Sequence, residues 1–231
     1  MRIVLAATLI AALAPTPATA IADACPPAPA GHAHCLAKVR AAGHDGYGPA
    51  DLRSAYNLPA TGGADQTVAV VDAGDDPNAE ADLAVYRSAY GLPACTIANG
   101  CFRKVNQRGS ADPLPDDQGW AIEIALDIQM VSAACPSCRV LLVEADDASF
   151  ANLATAVNTA VRLGATEVSN SYGAPEQNGM QDFQAAYGHP GVAVLASSGD
   201  EGYGIPSVPA VFPTVVAVGG TSLRRAGNGW T

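Results

Sequence analysis

Two carboxylates stand one helical turn apart in GWAIEIALDIQMVSAAC (119 to 135): Glu123 and Asp127. Around them are Trp120, Ala121, Ile122, Ile124, Ala125, Leu126, Ile128, Met130 and Val131, apolar nearly all round, so the pattern predicts a largely buried helix. Residues four apart share a face, and two like charges there destabilise a helix. Burial raises that cost further. A solvated acidic stripe is the plain explanation. The chemical one is a coupled pair that shares a proton, with at least one carboxyl titrating high, able to take a proton from a hydroxyl nucleophile in acid. A third acid, Asp200, ends the strand-like run of VLASSGDEGYG (194 to 204) among small residues. Kept neutral, it could donate a hydrogen bond to a developing oxyanion. Its plain reading is a turn or cap acid.

The elements that must hold these groups alternate. TVAVVDA (67 to 73), RVLLVEA (139 to 145), ATEVSNSYG (165 to 173), HPGVAVLASSGD (189 to 200) and TVVAVGGTS (214 to 222) read as strands. Between them, 77 to 91, 119 to 135 and 149 to 164 read as helices, the last with Ser149 as cap, and GYGPADLRSAYNLP (46 to 59) as a short one opened by Pro49. Continuous apolar strands separated by helices imply an α/β fold with a parallel sheet covered on both faces. Ligands of such sheets bind beyond the carboxyl ends of the strands, where Asp72, Ser171, Asp200 and Ser222 fall. There is neither an internal repeat nor a Gly-rich phosphate loop after a strand.

The 231 residues suffice for one large domain, and 49% apolar against 15% charged residues supports a sizeable core. A net charge of -10 without a basic stripe argues against nucleic acid. Arg2, the apolar run Ile3 to Leu13 and Ala18-Thr19-Ala20 read as a signal peptide over 1 to 20, too short to span a bilayer. This implies secretion, with no membrane association after cleavage. Residues 21 to 45 read as an N-terminal arm. Cys25 and Cys35, Cys95 and Cys101, and Cys135 and Cys138 form couples, each spanning a Pro- or Gly-containing turn, so short-range disulfides are favoured. Cys135-Pro-Ser-Cys138 could instead be redox-active or half a zinc site, but no second ligand pair accompanies it. His32 and His34 are spaced to bind metal, yet without partners they read as loop residues.

These motifs together resemble one family. GWAIEIALDIQMV resembles the Glu-x-x-x-Asp helix of the sedolisins, the serine-carboxyl peptidases, and ASSGDEG their Ala-Ser-Gly-Asp-Ser-Gly loop. VPAVFPTVVAVGGTSL, GYGPADLRSAYNLP and VSNSYG also match, so the resemblance runs from about 46 to 231 in one order. It implies a subtilisin-like three-layer sandwich with a mostly parallel central sheet, with residues 46 to 231 as the N-terminal part of the peptidase domain. It makes Glu123 the general base, Asp127 its orienting partner and Asp200 the oxyanion-hole acid, with Asp72 structural or secondary. Substrates would be proteins or peptides, and the molecule a monomer. The family's nucleophile lies in a later Gly-Thr-Ser-x-x-x-Pro motif that opens a helix. Here Gly220-Thr221-Ser222 is followed by Leu223-Arg224-Arg225-Ala226-Gly227-Asn228, without the proline, so Ser222 is not expected to be that serine. The sheet is then expected to be incomplete at the C-terminus, and the family's calcium site lies further on, implying no cofactor or metal in this chain. A secreted, non-catalytic peptide-binding module is the alternative. A small-molecule binding domain is a third, which leaves the acids inside the apolar helix unexplained.

Overall fold

The computed structural model describes residues 21–40, 46–59, 61–200 and 202–231. The expected signal peptide, 1 to 20, lies outside them.

The chain opens with three short strands, β1 (Ile21–Asp23), β2 (His34–Cys35) and β3 (Lys38–Arg40), and helix α1 (Pro49–Ala55). Then follow β4 (Thr67–Ala73), α2 (Ala79–Ala89), β5 (Phe102–Asn106), α3 (Ala121–Ala134), β6 (Arg139–Ala145), α4 (Phe150–Arg162), β7 (Glu167–Asn170) and β8 (Tyr172–Gly173). A 3-10 segment, Met180–Tyr187, precedes β9 (Ala193–Ser197) and β10 (Val216–Val218), and a small hairpin of β11 (Arg225–Ala226) and β12 (Gly229–Trp230) comes last.

Six strands form the central sheet in the order β10-β9-β7-β4-β6-β5, and every pairing in it is parallel. The parallel arrangement and its helical cover agree with the sequence reading. The sheet nonetheless has one strand more than expected. β5 (FRKVN) is an edge strand, and its two cations, Arg103 exposed and Lys104 half-buried, blunt its apolar signal. The run 165 to 173 is also not one strand. It breaks at Ser171, so that β7 stays in the main sheet and β8 turns away to pair with β2.

Side chains alternate across a strand, and here the alternation sorts two cores. Ala69, Val71, Leu141, Val143 and Val168 pack against Phe150, Leu153, Val157 and Ala160 of α4. Val70, Val140 and Leu142 pack on the other face against Leu83 of α2 and Ile124 and Ile128 of α3. Fully burying one such aliphatic side chain contributes about 1.5–3 kcal/mol, so each helix is fixed mainly by its apolar face. Asp72 and Glu144 continue the α3-facing parity of Val70 and Leu142. They are directly opposed across β4 and β6, and both are fully buried.

α3 departs from the expectation in one respect. Ile124, Asp127, Ile128 and Glu123 are buried, but Ile122 and Leu126, a turn apart, are exposed. That face borders a cleft and not the sheet. The chain leaves β4 for β5 and β6 on one side and returns for β7, β9 and β10 on the other. The cleft beyond the carboxyl ends of β4 and β7 is therefore a topological switch point, where open α/β sheets bind ligands.

Candidate active site

The three acids meet at that cleft. Glu123, Asp127 and Asp200 border one cavity of about 460 Å³, together with Ser169, Ser171 and Ser197 from the strand ends and Leu126, Met130 and Val131 from α3. Helical spacing puts Glu123 and Asp127 on the same face, and the apolar neighbours press that face inward. Glu123 is 1% and Asp127 8% exposed. Asp200 is exposed, in the loop after β9. That loop turns through Gly199, whose φ of 115° suits glycine, and a Cβ there would stand 3.4 Å from Ser207 Oγ.

Burial, followed by the charge of Asp127, raises the Glu123 carboxyl to about 8; backbone N–H groups and, in the opposite sense, Asp200 contribute less. Burial also raises Asp127, to about 6, against a lowering hydrogen bond from the Ser171 side chain. Between those two values the pair holds one proton, because two adjacent buried carboxylates cannot both ionise cheaply. Glu123 Oε2 accepts hydrogen bonds from the backbone N–H groups of Leu36 (2.8 Å) and Ala37 (2.5 Å). Asp127 Oδ2 is buried without a hydrogen-bond partner among the described residues.

Two acids extend this group behind the cavity. Neither oxygen of Asp72 has a hydrogen-bond partner among the described residues. Burial, then Asp127, Glu123 and Glu144, push its carboxyl well above the usual range. Glu144 rises to about 8 through burial, offset in part by Lys104. Lys104 Nζ also pairs with Asp75 and donates to the carbonyl of Asp76 at 2.6 Å. At the end of β4, Gly74 holds φ 74°, and a Cβ there would lie 2.3 Å from the carbonyl oxygen of Asp117, so the turn beside these acids needs glycine.

Three cysteine couples are disulfides, Cys25–Cys35, Cys95–Cys101 and Cys135–Cys138. Among the described residues, the metal-capable grouping of three is Cys25, Cys35 and Glu123, and its two sulfurs are bonded to each other. His32 sets Nδ1 3.3 Å from the carbonyl oxygen of Ala30. Ser222 is exposed and borders a different cavity, of about 510 Å³, with Asp200, Gly219 and Thr221.

Among solved structures the chain is similar to Pseudomonas sedolisin, a serine-carboxyl proteinase, complexed with two molecules of pseudo-iodotyrostatin. The two are 27% identical, over 79% of this chain and 55% of that one, with a TM-score of 0.64. In fold this chain resembles sedolisin. It spans about half the length of that sedolisin structure. The sedolisin-like chain also matches a lanthipeptide protease (19% identity, 71% of this chain and 50% of that one, TM-score 0.49) and a prenylagaramide maturation protease (22%, 67% and 53%, TM-score 0.37). No family model matches the sequence, and a search of curated proteins also finds no match.

The sequence pointed to Glu123, Asp127 and Asp200, and the fold sets all three around one cavity. It did not point to Ser171 as a partner of Asp127, to the opposed Asp72 and Glu144, or to the amides on Glu123. The sequence carried no signal for Ser171, because the break of the VSNSYG run there is visible only in the structure.

Proposed function

We propose that this chain belongs to a secreted endopeptidase of the serine-carboxyl class that hydrolyses proteins in acid. In this reading Glu123 is the general base, Asp127 is its orienting partner, and Asp200 is the acid of the oxyanion hole. The observation that supports it best is the meeting of a buried Glu123–Asp127 pair with Asp200 on one cavity at the strand ends. The reading requires a nucleophilic serine from a Gly-Thr-Ser-x-x-x-Pro segment, which these 231 residues do not include.

In the reaction, the serine hydroxyl gives its proton to Glu123 as Oγ attacks the scissile carbonyl. The proton passes into the Glu123–Asp127 pair, and the Asp200 carboxyl stabilises the new oxyanion. Glu123 returns the proton to the leaving amine. Water, deprotonated by the same group, then releases the acyl product. Burial is the first cause of the raised titration of both acids.

The test is hydrolysis of denatured protein by a longer form that carries the serine segment. Turnover is expected to peak in acid, and Glu123→Gln to reduce it by about 100-fold or more. Activity surviving in Glu123→Gln, or a neutral-to-alkaline optimum, rejects the assignment. The 231-residue chain itself is expected to turn over nothing. Turnover by that chain which Ser222→Ala abolishes would move the nucleophile to Ser222.

A further inference from the structure

Three helices end together at a place away from the three acids. The C-terminal ends of α1, α2 and α3 border a cavity of about 530 Å³, which shares only Ala134 with the cavity of the acids. Helix C-termini carry partial negative charge and spare carbonyls, so they call for cations. Two arginines stand there, and they behave differently. Buried Arg87 donates to the carbonyls of Pro93 and Pro136 and to Ser132 Oγ. Arg53, half-buried in the last turn of α1, makes no ion pair and no side-chain hydrogen bond among the described residues. The helix ends are thus satisfied by Arg87, and Arg53 is left over as a cation on the cavity wall.

A partly desolvated charge is costly unless it is paired. This chain has 22 acidic residues against 12 basic ones, yet none of the described acids pairs with Arg53. The rest of the wall offers two kinds of surface. Gln66 and Ser137 add polar side chains that make no hydrogen bond among the described residues. Tyr90, half exposed, and Leu92 and Pro93 add an apolar shelf. Between them the backbone lies directly on the Cys135–Cys138 disulfide. Gly62 and Gly63 hold φ of 118° and 82°, and a Cβ on Gly63 would stand 2.4 Å from Cys135 Sγ and 2.7 Å from Cys138 Sγ. The cavity floor is therefore cross-linked and needs glycine.

We propose that this cavity is a carboxylate site that binds the C-terminal residue of a peptide, with the α-carboxylate on Arg53 and an aliphatic or aromatic side chain against Tyr90, Leu92 and Pro93. A guanidinium takes both oxygens of a carboxylate through parallel N–H bonds. One cation suits a single negative charge and not the nearly two of a phosphate group. A cavity of this size holds one or two residues. The site takes chain ends and not chain interiors, because an interior peptide group has no charge to offer Arg53. It is independent of the peptidase reading of the cleft, and it lies at the opposite end of α3 from Glu123.

Calorimetry on the 231-residue chain at neutral pH tests this. The probes are acetyl-Ala-Leu as the free acid, the same dipeptide as its C-terminal amide, and acetyl-leucine as a small carboxylate without a second residue. The free acid is expected to bind about tenfold or more tightly than the amide, since one charged hydrogen-bonded pair separates them. It is also expected to bind more tightly than acetyl-leucine. Arg53→Gln should bring acid and amide to equal affinity with the melting temperature unchanged. Equal binding of acid and amide by the unaltered chain overturns the proposal, and that comparison needs no variant to fold. A preference for the acid that survives Arg53→Gln overturns it too, because the carboxylate is then held elsewhere. Acetyl-leucine binding as tightly as the dipeptide acid rejects a peptide end as the ligand. No binding of any probe rejects the site.

Discussion

Each buried acid of the cleft titrates above its ordinary range, and this fixes how the stability of the chain must depend on pH. A carboxyl raised in the fold keeps its proton where the unfolded chain has lost it. Its stability is therefore fullest below the unfolded value and declines as pH rises through the folded one. Moving Asp127 from 3.8 to about 6 corresponds to about 3 kcal/mol, and Glu123 and Glu144, raised from 4.5 to about 8, act in the same sense. The melting temperature should fall on going from pH 4 to pH 9, and Glu123→Gln or Asp127→Asn should each flatten the fall. A profile that rises over that range would show these groups to be ionised in the fold. Asp200 offers the contrast, because it is exposed and carries no packing. In a form that holds the serine segment, Asp200→Ala should lower turnover by about 100- to 1000-fold with the melting temperature unchanged. Loss of stability in step with turnover would make it a structural acid. Glu123 and Asp127 could be read from sequence because two acids in a hydrocarbon helix contradict its pattern. The donors to Glu123 could not, since they are backbone N–H groups, which every residue but proline carries, and they come from 86 and 87 positions away. Asp72 and Glu144 look like ordinary strand ends until the register opposes them.

α3 is positioned from both ends. Ile124 and Ile128 anchor its buried face, and its C-terminal turn is clipped by Arg87 of α2. Arg87 is 1% exposed, and its guanidinium donates to Ser132 Oγ at 2.9 Å, to the carbonyl of Pro136 at 2.7 Å and to the carbonyl of Pro93. It ties α2, α3 and the Cys135–Cys138 turn into one unit. Arg87→Met keeps the aliphatic stem and strands those acceptors, so it should cost about 3 kcal/mol in chemical denaturation. A loss well under 1 kcal/mol would mean that the clip is replaceable by packing alone. The limits of β4 and β6 follow directly from their apolar runs, and α4 begins after its Ser149 cap as expected. β5 and the arm strands were not legible, because edge and two-residue strands are set by their partners more than by their own composition.

Over the whole molecule the sheet ends unequally. At one side β5 carries Arg103 and Lys104, whereas at the other β10, the last strand of the sheet among the described residues, shows Val216 and Val218 about half exposed. Exposed apolar edges recruit further strands. The chain should therefore self-associate as concentration rises, and Val216→Lys/Val218→Lys should suppress this in light scattering; equal scattering by the two would clear that edge. The disulfides act on a shorter range. Their partners are separated by only 10, 6 and 3 positions, and each cysteine joins its next neighbour along the chain. A bond of this kind can close as soon as its second thiol has been synthesised, before the residues that complete the sheet exist. Each ring can therefore close without waiting for the rest of the chain to fold around it.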